Sequence, residues 1–452
     1  MNCNEQNLIF YPMINHPLCS EKPSLKIKYV CLMEHYQNKY AINDSSTFVR
    51  IHQFKSLLLQ DLVTDGVDIE QAQKEIMRSR FTPFRIFSYR YIFLFDCIFL
   101  LTPTNESLAK QICEEVKSAI SQRYHKRMDA IVQQMFMNPP VSPGKPIPDE
   151  LFRAWTDVQN FRAKQEKHIV LTATMSAGKS TLVNALIGQE LSFAKKAACT
   201  ATTMEFFSTP VYNPWYHVLS AQEFKPNLPP KEVRAFTRGR SEPCAVLGFF
   251  QSAVGQQRVK LIDTPGVDSS QNPTHKTITR NALKSGQNDV LIYVIPVENY
   301  GSDDDYAHLK FVCEKVPYKK ILFVINMMDT CDFEDDSVDE IFGNVVEHLK
   351  NIGFENPVVC PISAKAGFLF KFALAGGELS KNDEKELTDE LYPKFQKPEY
   401  DMAKFYDTSD VESIVSNGYH LSTIEQSKLR IAYSHTGLPG LEAKLLQIVT
   451  EG

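Results

Sequence analysis

The stretch from Ile169 to Leu186 reads Ile-Val-Leu-Thr-Ala-Thr-Met-Ser-Ala-Gly-Lys-Ser-Thr-Leu-Val-Asn-Ala-Leu and constrains the fold more than any other part of the chain. Its branched apolar residues predict a buried strand, the small residues after them a tight loop, and the spacing beyond Thr181 an amphipathic helix. A strand, a glycine loop and a helix N-terminus in that order form a phosphate cradle. Thr174, Met175 and Ser176 lead into Ala177 and Gly178, which let successive backbone N–H groups point at phosphate oxygens. Lys179 reaches the terminal phosphates, and the Ser180 hydroxyl is placed to ligate Mg²⁺. Thr181 opens the helix, whose positive dipole end faces the ligand. The usual pattern begins with Gly, where this chain has Ala173.

Three further motifs follow in order. Val259-Lys-Leu-Ile-Asp263-Thr-Pro-Gly266 is an apolar strand ending in Asp-x-x-Gly, which sets the Asp263 carboxylate near the metal shell and the Gly266 N–H near a γ-phosphate. Ile321-Leu-Phe-Val-Ile-Asn326-Met-Met-Asp329 is another apolar strand, ending in Asn-x-x-Asp. The Asp329 carboxylate can accept from both the N1–H and the exocyclic amine of guanine; adenine would leave it buried and unpaired. Val358-Val-Cys-Pro-Ile-Ser363-Ala364-Lys365 ends a last strand with a Ser-Ala-Lys turn that offers a backbone N–H to the guanine O6. A single Gly-Lys-Ser occurs by chance in long chains; four ordered motifs do not.

These residues resemble the GTPase domain of the dynamin-like superfamily, and its bacterial members in particular. The similarity covers roughly residues 150–452 and is carried by Ser176-Ala177-Gly178-Lys179-Ser180 and by Thr200-Ala201-Thr202-Thr203, similar to the family's switch threonines. It implies that Ser176 compensates charge on the β/γ bridge and that Thr200 binds Mg²⁺ and orients the attacking water, a role open also to Thr202 or Thr203. Met175 stands where many dynamins have a glutamine, and Met327 where the guanine motif usually has a lysine. The implied activity is hydrolysis of GTP to GDP and phosphate by in-line attack of water, organised by Lys179, Ser176, Mg²⁺ and Thr200. Stimulation would come from self-association or a homologous dynamin-like partner. The competing reading is a slow GTP-gated adaptor that binds a protein partner through its N-terminal domain.

The 452 residues, 43% of them apolar, are enough for two or three cores. The expected fold is α/β: a P-loop GTPase domain with a mainly parallel sheet flanked by helices, preceded by a small α+β domain. Residues 24–36 and 84–101 read as strands of that domain; 47–63, 68–79 and 105–137 carry helical spacing. Asn138 to Pro148 packs five prolines and a glycine into eleven residues and marks a linker over 139–149. Asp149 caps a helix through about Gln165 that should lie on the GTPase domain. Residues 203–258 should hold a switch region and one edge strand near 244–250. Leu291 to Ile295 is a core strand, Gly301 to Asp305 a solvated helix start, and 368–375 a short helix. A charged, mostly helical insertion spans about 380–430, and 437–449 closes the fold as a helix.

A net charge of −5 gives no basic footprint, so nucleic acid is not an expected partner. Ten cysteines scattered without a C-x-x-C pair suit a reducing compartment. The N-terminus lacks the regions of a signal peptide, and no run of ~18 uncharged apolar residues spans a bilayer. A cytoplasmic protein, in membrane contact only peripherally, is expected. Dynamins usually continue into a helical bundle; here the candidate assembly module precedes the GTPase domain.

Overall fold

The computed structural model describes residues 16–59, 66–82, 85–193, 203–238, 240, 242–267, 273–284, 289–317, 320–333, 337–407, 414, 418–421 and 423–451. It forms two compact units, residues 1–163 with 211–213, and residues 164–210 with 214–452.

The first unit is helical: α1 (Pro23–Lys39), α2 (Ser45–Leu59), α3 (Ile69–Met77), α4 (Tyr89–Leu101), α5 (Glu106–Ser118), α6 (His125–Met135) and α7 (Asp149–Ala163). Its one sheet is the two-stranded pair β1 (Arg80–Thr82) and β2 (Arg85–Phe87). The strands expected over 24–36 and 84–101 are therefore helices. Helix α4 lies at the centre, in contact with α1, α2, α3, α5 and α6. Packed on every side, it is apolar all round, so it has no amphipathic period. Its aromatic and branched residues then imitate a strand, although packing and not that preference decides. The charges that interrupt it are satisfied inside: Asp96, fully buried, accepts from the Tyr29 hydroxyl, and Arg90 Nε donates to Ser88 Oγ at 2.6 Å. Among the described residues no helix is long and apolar enough to cross a membrane. The helical pattern over 105–137 breaks between α5 and α6. Helix α7 packs in this unit's core, with the Trp155 indole donating to the Met135 carbonyl at 3.1 Å and its ring 5.3 Å from that of Phe99. The division thus falls after Ala163, beyond the proline-rich segment.

The second unit is built on nine strands. These are β3 (Lys167–Ala173), β4 (Met204–Ser208), β5 (Tyr216–Leu219), β6 (Phe224–Leu228), β7 (Cys244–Gly248), β8 (Val259–Asp263), β9 (Val290–Pro296), β10 (Lys320–Asn326) and β11 (Val358–Pro361). Their order is β11-β10-β9-β3-β8-β4-β7-β5-β6. The run β11 to β8 is parallel, while β4 joins β8 antiparallel. Strands β3, β9 and β10 read as continuous apolar runs because both faces are covered. Around them lie α8 (Lys179–Ile187), α9 (Pro230–Thr237), α10 (Pro273–Lys284), α11 (Asp303–Lys315), α12 (Val338–Ile352), α13 (Ala364–Leu374), α14 (Lys381–Glu386), α15 (Tyr392–Phe395), α16 (Gln426–His435) and α17 (Leu438–Glu451).

Between residues 203 and 258 the sheet gains four strands and not one, and β7 is internal, between β4 and β5. The edge is β6, where Pro226 lacks an N–H and suits an unpaired side. The 301–305 turn starts α11, with Ser302 as N-cap, but Asp305 is buried under the Tyr293 hydroxyl at 2.8 Å. In the insertion, helix persists through α14, a π-turn at Leu387–Leu391 and α15; the described remainder has only short 3₁₀ turns at Pro398–Tyr400 and Ala403–Phe405 before α16.

Candidate functional site

The carboxyl ends of parallel strands β3, β8, β10 and β11 carry the four motifs, the edge of an open α/β sheet where ligands bind. After β3 the loop turns through left-handed backbone at Ser176 (φ 61°) and Gly178 (φ 79°), and α8 begins at Lys179. Only Gly fits at 178, because a Cβ there would collide with the Asn326 amide. The Asp-x-x-Gly loop is zipped to the phosphate loop: Val267 N–H donates to the Ala173 carbonyl at 3.1 Å, and Gly266 packs on the Met175 backbone. Met175 itself is exposed.

Asp263, fully buried at the end of β8, is the electrostatic centre. Its carboxylate pairs with the Lys179 ammonium, accepts from Ser180 Oγ at 3.1 Å and accepts from Ser192 Oγ at 2.8 Å. The Ser192 contact was not readable from the motifs. It depends on Asn184 of α8, whose Oδ1 accepts from the N–H groups of Leu191 (2.9 Å) and Ser192 (2.7 Å), and whose Nδ2 donates to the Ser192 carbonyl at 2.9 Å. A lone Asn inside an apolar helix was the available signal.

An oxygen-only set of one hydroxyl and one carboxylate suits a hard cation completed by water and phosphate oxygens. Ser180 and Asp263 therefore fit Mg²⁺. No cluster of three His, Cys, Asp or Glu side chains able to hold a metal occurs among the described residues. Thr200, expected to complete the metal set, and Thr202 lie outside the described residues; Thr203 immediately precedes β4.

At the base side, Asn326 serves as a strut. It is 2% exposed, its Nδ2 donates to the Ala177 carbonyl at 3.0 Å and its Oδ1 accepts from the Ala364 N–H at 3.0 Å. One side chain thus ties the phosphate loop to the start of α13. Ser363 caps α13 by accepting from Ala366 N–H at 3.1 Å, and its hydroxyl donates to Asp329 Oδ1. With the Ala364 N–H engaged by Asn326, the Lys365 N–H in the helix's first turn is the amide placed for a base oxygen. The Lys365 ammonium pairs with Glu386. Met327 adopts φ 69°, its carbonyl held by the Thr330 N–H (2.9 Å) and hydroxyl (2.8 Å), and its methyl end lies beside Gly178.

Behind the loops, Thr172 Oγ1 of β3 lies 2.9 Å from His308 Nε2 of α11, and burial with nearby Arg280 and Lys276 pushes this imidazole down to about 4. Lys371 of α13, fully buried, donates to the Ala185 carbonyl of α8 at 2.7 Å and pairs with Glu442 of α17; burial lowers its pKa against the pull of that carboxylate.

Sheet order, phosphate loop, Asp-x-x-Gly, Asn-x-x-Asp and Ser-Ala-Lys together define the second unit as a P-loop GTPase domain. Residues 169–328 match the model of the dynamin family. The chain is 23% identical over 198 residues to dynamin-like protein A of Bacillus subtilis (strain 168), covering 43% of this chain and 16% of that one. It is 30% identical over 142 residues to elongation factor 1-alpha 2 of Euplotes crassus, 29% of either chain. It thus spans less than a third of the length of these curated relatives. Two solved chains of an oligomerised bacterial dynamin pair, described as sensing and tethering membranes, align at 14% and 15% identity over 85% and 86% of this chain and 62% and 74% of theirs, with TM-scores of 0.36 and 0.33. The chain is a dynamin-like GTPase.

Proposed function

We propose that the chain binds GTP in preference to ATP and hydrolyses it to GDP and phosphate by in-line attack of water on the γ-phosphate. The observation that carries this reading is the Asn326 strut, which makes the phosphate cradle and the Asp329 loop two ends of one nucleotide site. Lys179 exchanges Asp263 for the terminal phosphates, and Gly178 and its neighbours direct N–H groups at them. Ser180 and Asp263 hold Mg²⁺, with Thr200 as third contributor; when bound, the ion neutralises charge on the β- and γ-oxygens. Gly266 reads the γ-phosphate through its N–H. Ser176, in its left-handed turn, compensates charge at the bridging oxygen. Asp329 accepts from the guanine N1–H and amine, and the Ser363-Ala364-Lys365 turn receives O6.

Met175 offers no group that holds a water, so the catalytic parts are completed by ordering of the switch segment when two GTPase domains meet, in a self-associated form or with a homologous dynamin-like partner. The setting proposed is cytoplasmic, with membranes reached peripherally through assembly. The test is GTP turnover against protein concentration, alone and with liposomes, with sedimentation in GTP and a transition-state mimic. Specific activity that rises with concentration alongside a larger species supports the reading; concentration-independent turnover by a monomer refutes stimulation by assembly, and equal competition by ATP refutes guanine recognition.

A further inference from the structure

The insertion after α13 grips the base loop. Lys394 of α15 donates from Nζ to the backbone carbonyl of Asp329 at 2.7 Å, and its ammonium also lies 5.1 Å from the centre of the Tyr400 ring. Tyr400 donates its hydroxyl to the Cys331 carbonyl at 2.7 Å and packs its ring 4.6 Å from that of Phe333. Two carbonyls and one ring of the segment after Asn326 are thus held from outside the nucleotide motifs. The grip is itself anchored. Phe395 is fully buried with its ring 5.9 Å from Phe370 of α13, Tyr400 is buried, and the Phe395 carbonyl lies 2.8 Å from His435 Nδ1 of α16. The same insertion meets the base loop's other wall through the pair between Glu386 and Lys365.

We propose that Lys394 is a positioning residue for guanine specificity: by fixing the Asp329 peptide it sets the aim of the Asp329 carboxylate. The inference rests on the guanine reading given above. A carboxylate must be held within tenths of an ångström to accept two parallel hydrogen bonds, and specificity built on paired buried donors is lost when the acceptor drifts. Met327, which occupies the usual lysine position, is apolar and lies by Gly178, so it supplies no ionic hold on this loop. Lys394 supplies that hold from a different element, acting on the backbone and touching no part of the base.

The experiment compares the equilibrium affinities of GTP and ITP, which lacks the exocyclic amine, for the full chain and its Lys394→Met and Lys394→Arg variants. Lys394→Met should weaken GTP by roughly tenfold and ITP much less, so that the GTP-to-ITP ratio shrinks, the loss expected for one charge-assisted hydrogen bond. Lys394→Arg, which can still donate to the carbonyl, should restore most of the ratio. Turnover at saturating GTP should stay within about twofold of the parent, since the phosphate end is untouched. An unchanged ratio in Lys394→Met, or equal weakening of GTP and ITP, overturns the inference while leaving guanine recognition standing. A parent protein that fails to distinguish GTP from ATP overturns both.

Discussion

Asn326→Ala separates a strut from a base reader. The side chain is almost wholly buried and makes two hydrogen bonds, to the Ala177 carbonyl and from the Ala364 N–H, both at 3.0 Å. Truncation leaves that carbonyl and that N–H without their partner at the junction of two loops. Each such group costs about 1–3 kcal/mol, which sets a ceiling near 6 kcal/mol, and water entering the vacated volume offsets part of it. A loss of about 2–4 kcal/mol follows, measured by urea unfolding of the nucleotide-free protein, with faster hydrogen exchange in residues 174–178 and 326–330. Because the strut holds the phosphate and base ends together, GTP and ITP affinities should fall by the same factor, roughly tenfold or more. A collapse of the GTP-to-ITP ratio would show that Asn326 contacts the base. Stability within ~0.5 kcal/mol of the parent, as for an ordinary surface substitution, would refute the strut.

Lys179→Ala should abolish nucleotide binding in an equilibrium titration, and should also destabilise the nucleotide-free protein by about 3 kcal/mol, because Asp263 is left buried without its cation. Adding Asp263→Asn should recover stability but not binding. Lys371→Met should cost about 3–5 kcal/mol in chemical denaturation, and a double change with Glu442→Leu should recover much of it, since the penalty lies in the stranded buried charge. His308, ordinarily near 6.5 and held at about 4 in the fold, is neutral when folded and takes a proton on unfolding between those values. Its contribution is complete above about pH 6.5 and is lost as pH falls toward 4, by up to ~3 kcal/mol; a His308→Gln variant should show a shallower acid limb in stability against pH.

What was legible in the sequence follows from which residues touch ligand and which touch each other. Phosphate and base loops demand particular residues at strand ends, so Lys179, Asp263, Asn326 and Ser363 could be found without coordinates and do converge at one sheet edge. The Asn326 role was misjudged because a motif shows the residue without its partners. Ser192 and Lys394 act by reaching across the chain to a carboxylate and a carbonyl, contacts with no local spacing to announce them. Helix α4 was unreadable for the opposite reason: buried on all sides, its sequence loses the polar face that would betray a helix. The strands between residues 203 and 258 are short and include a proline, which suggested loop where the sheet continues.

The pairing of Lys179 with Asp263 carries a further consequence. The cation meant for phosphate already has an anion inside the fold, and the carboxylate meant for metal already has a cation. Nucleotide with its metal therefore arrives by double displacement: the ammonium swings from carboxylate to phosphate, and the carboxylate turns from ammonium to metal. Affinity is the difference between two similar electrostatic terms, smaller than either. Such a domain rests in a closed, charge-balanced empty form, and release of the spent nucleotide is helped by a counter-ion waiting within the protein.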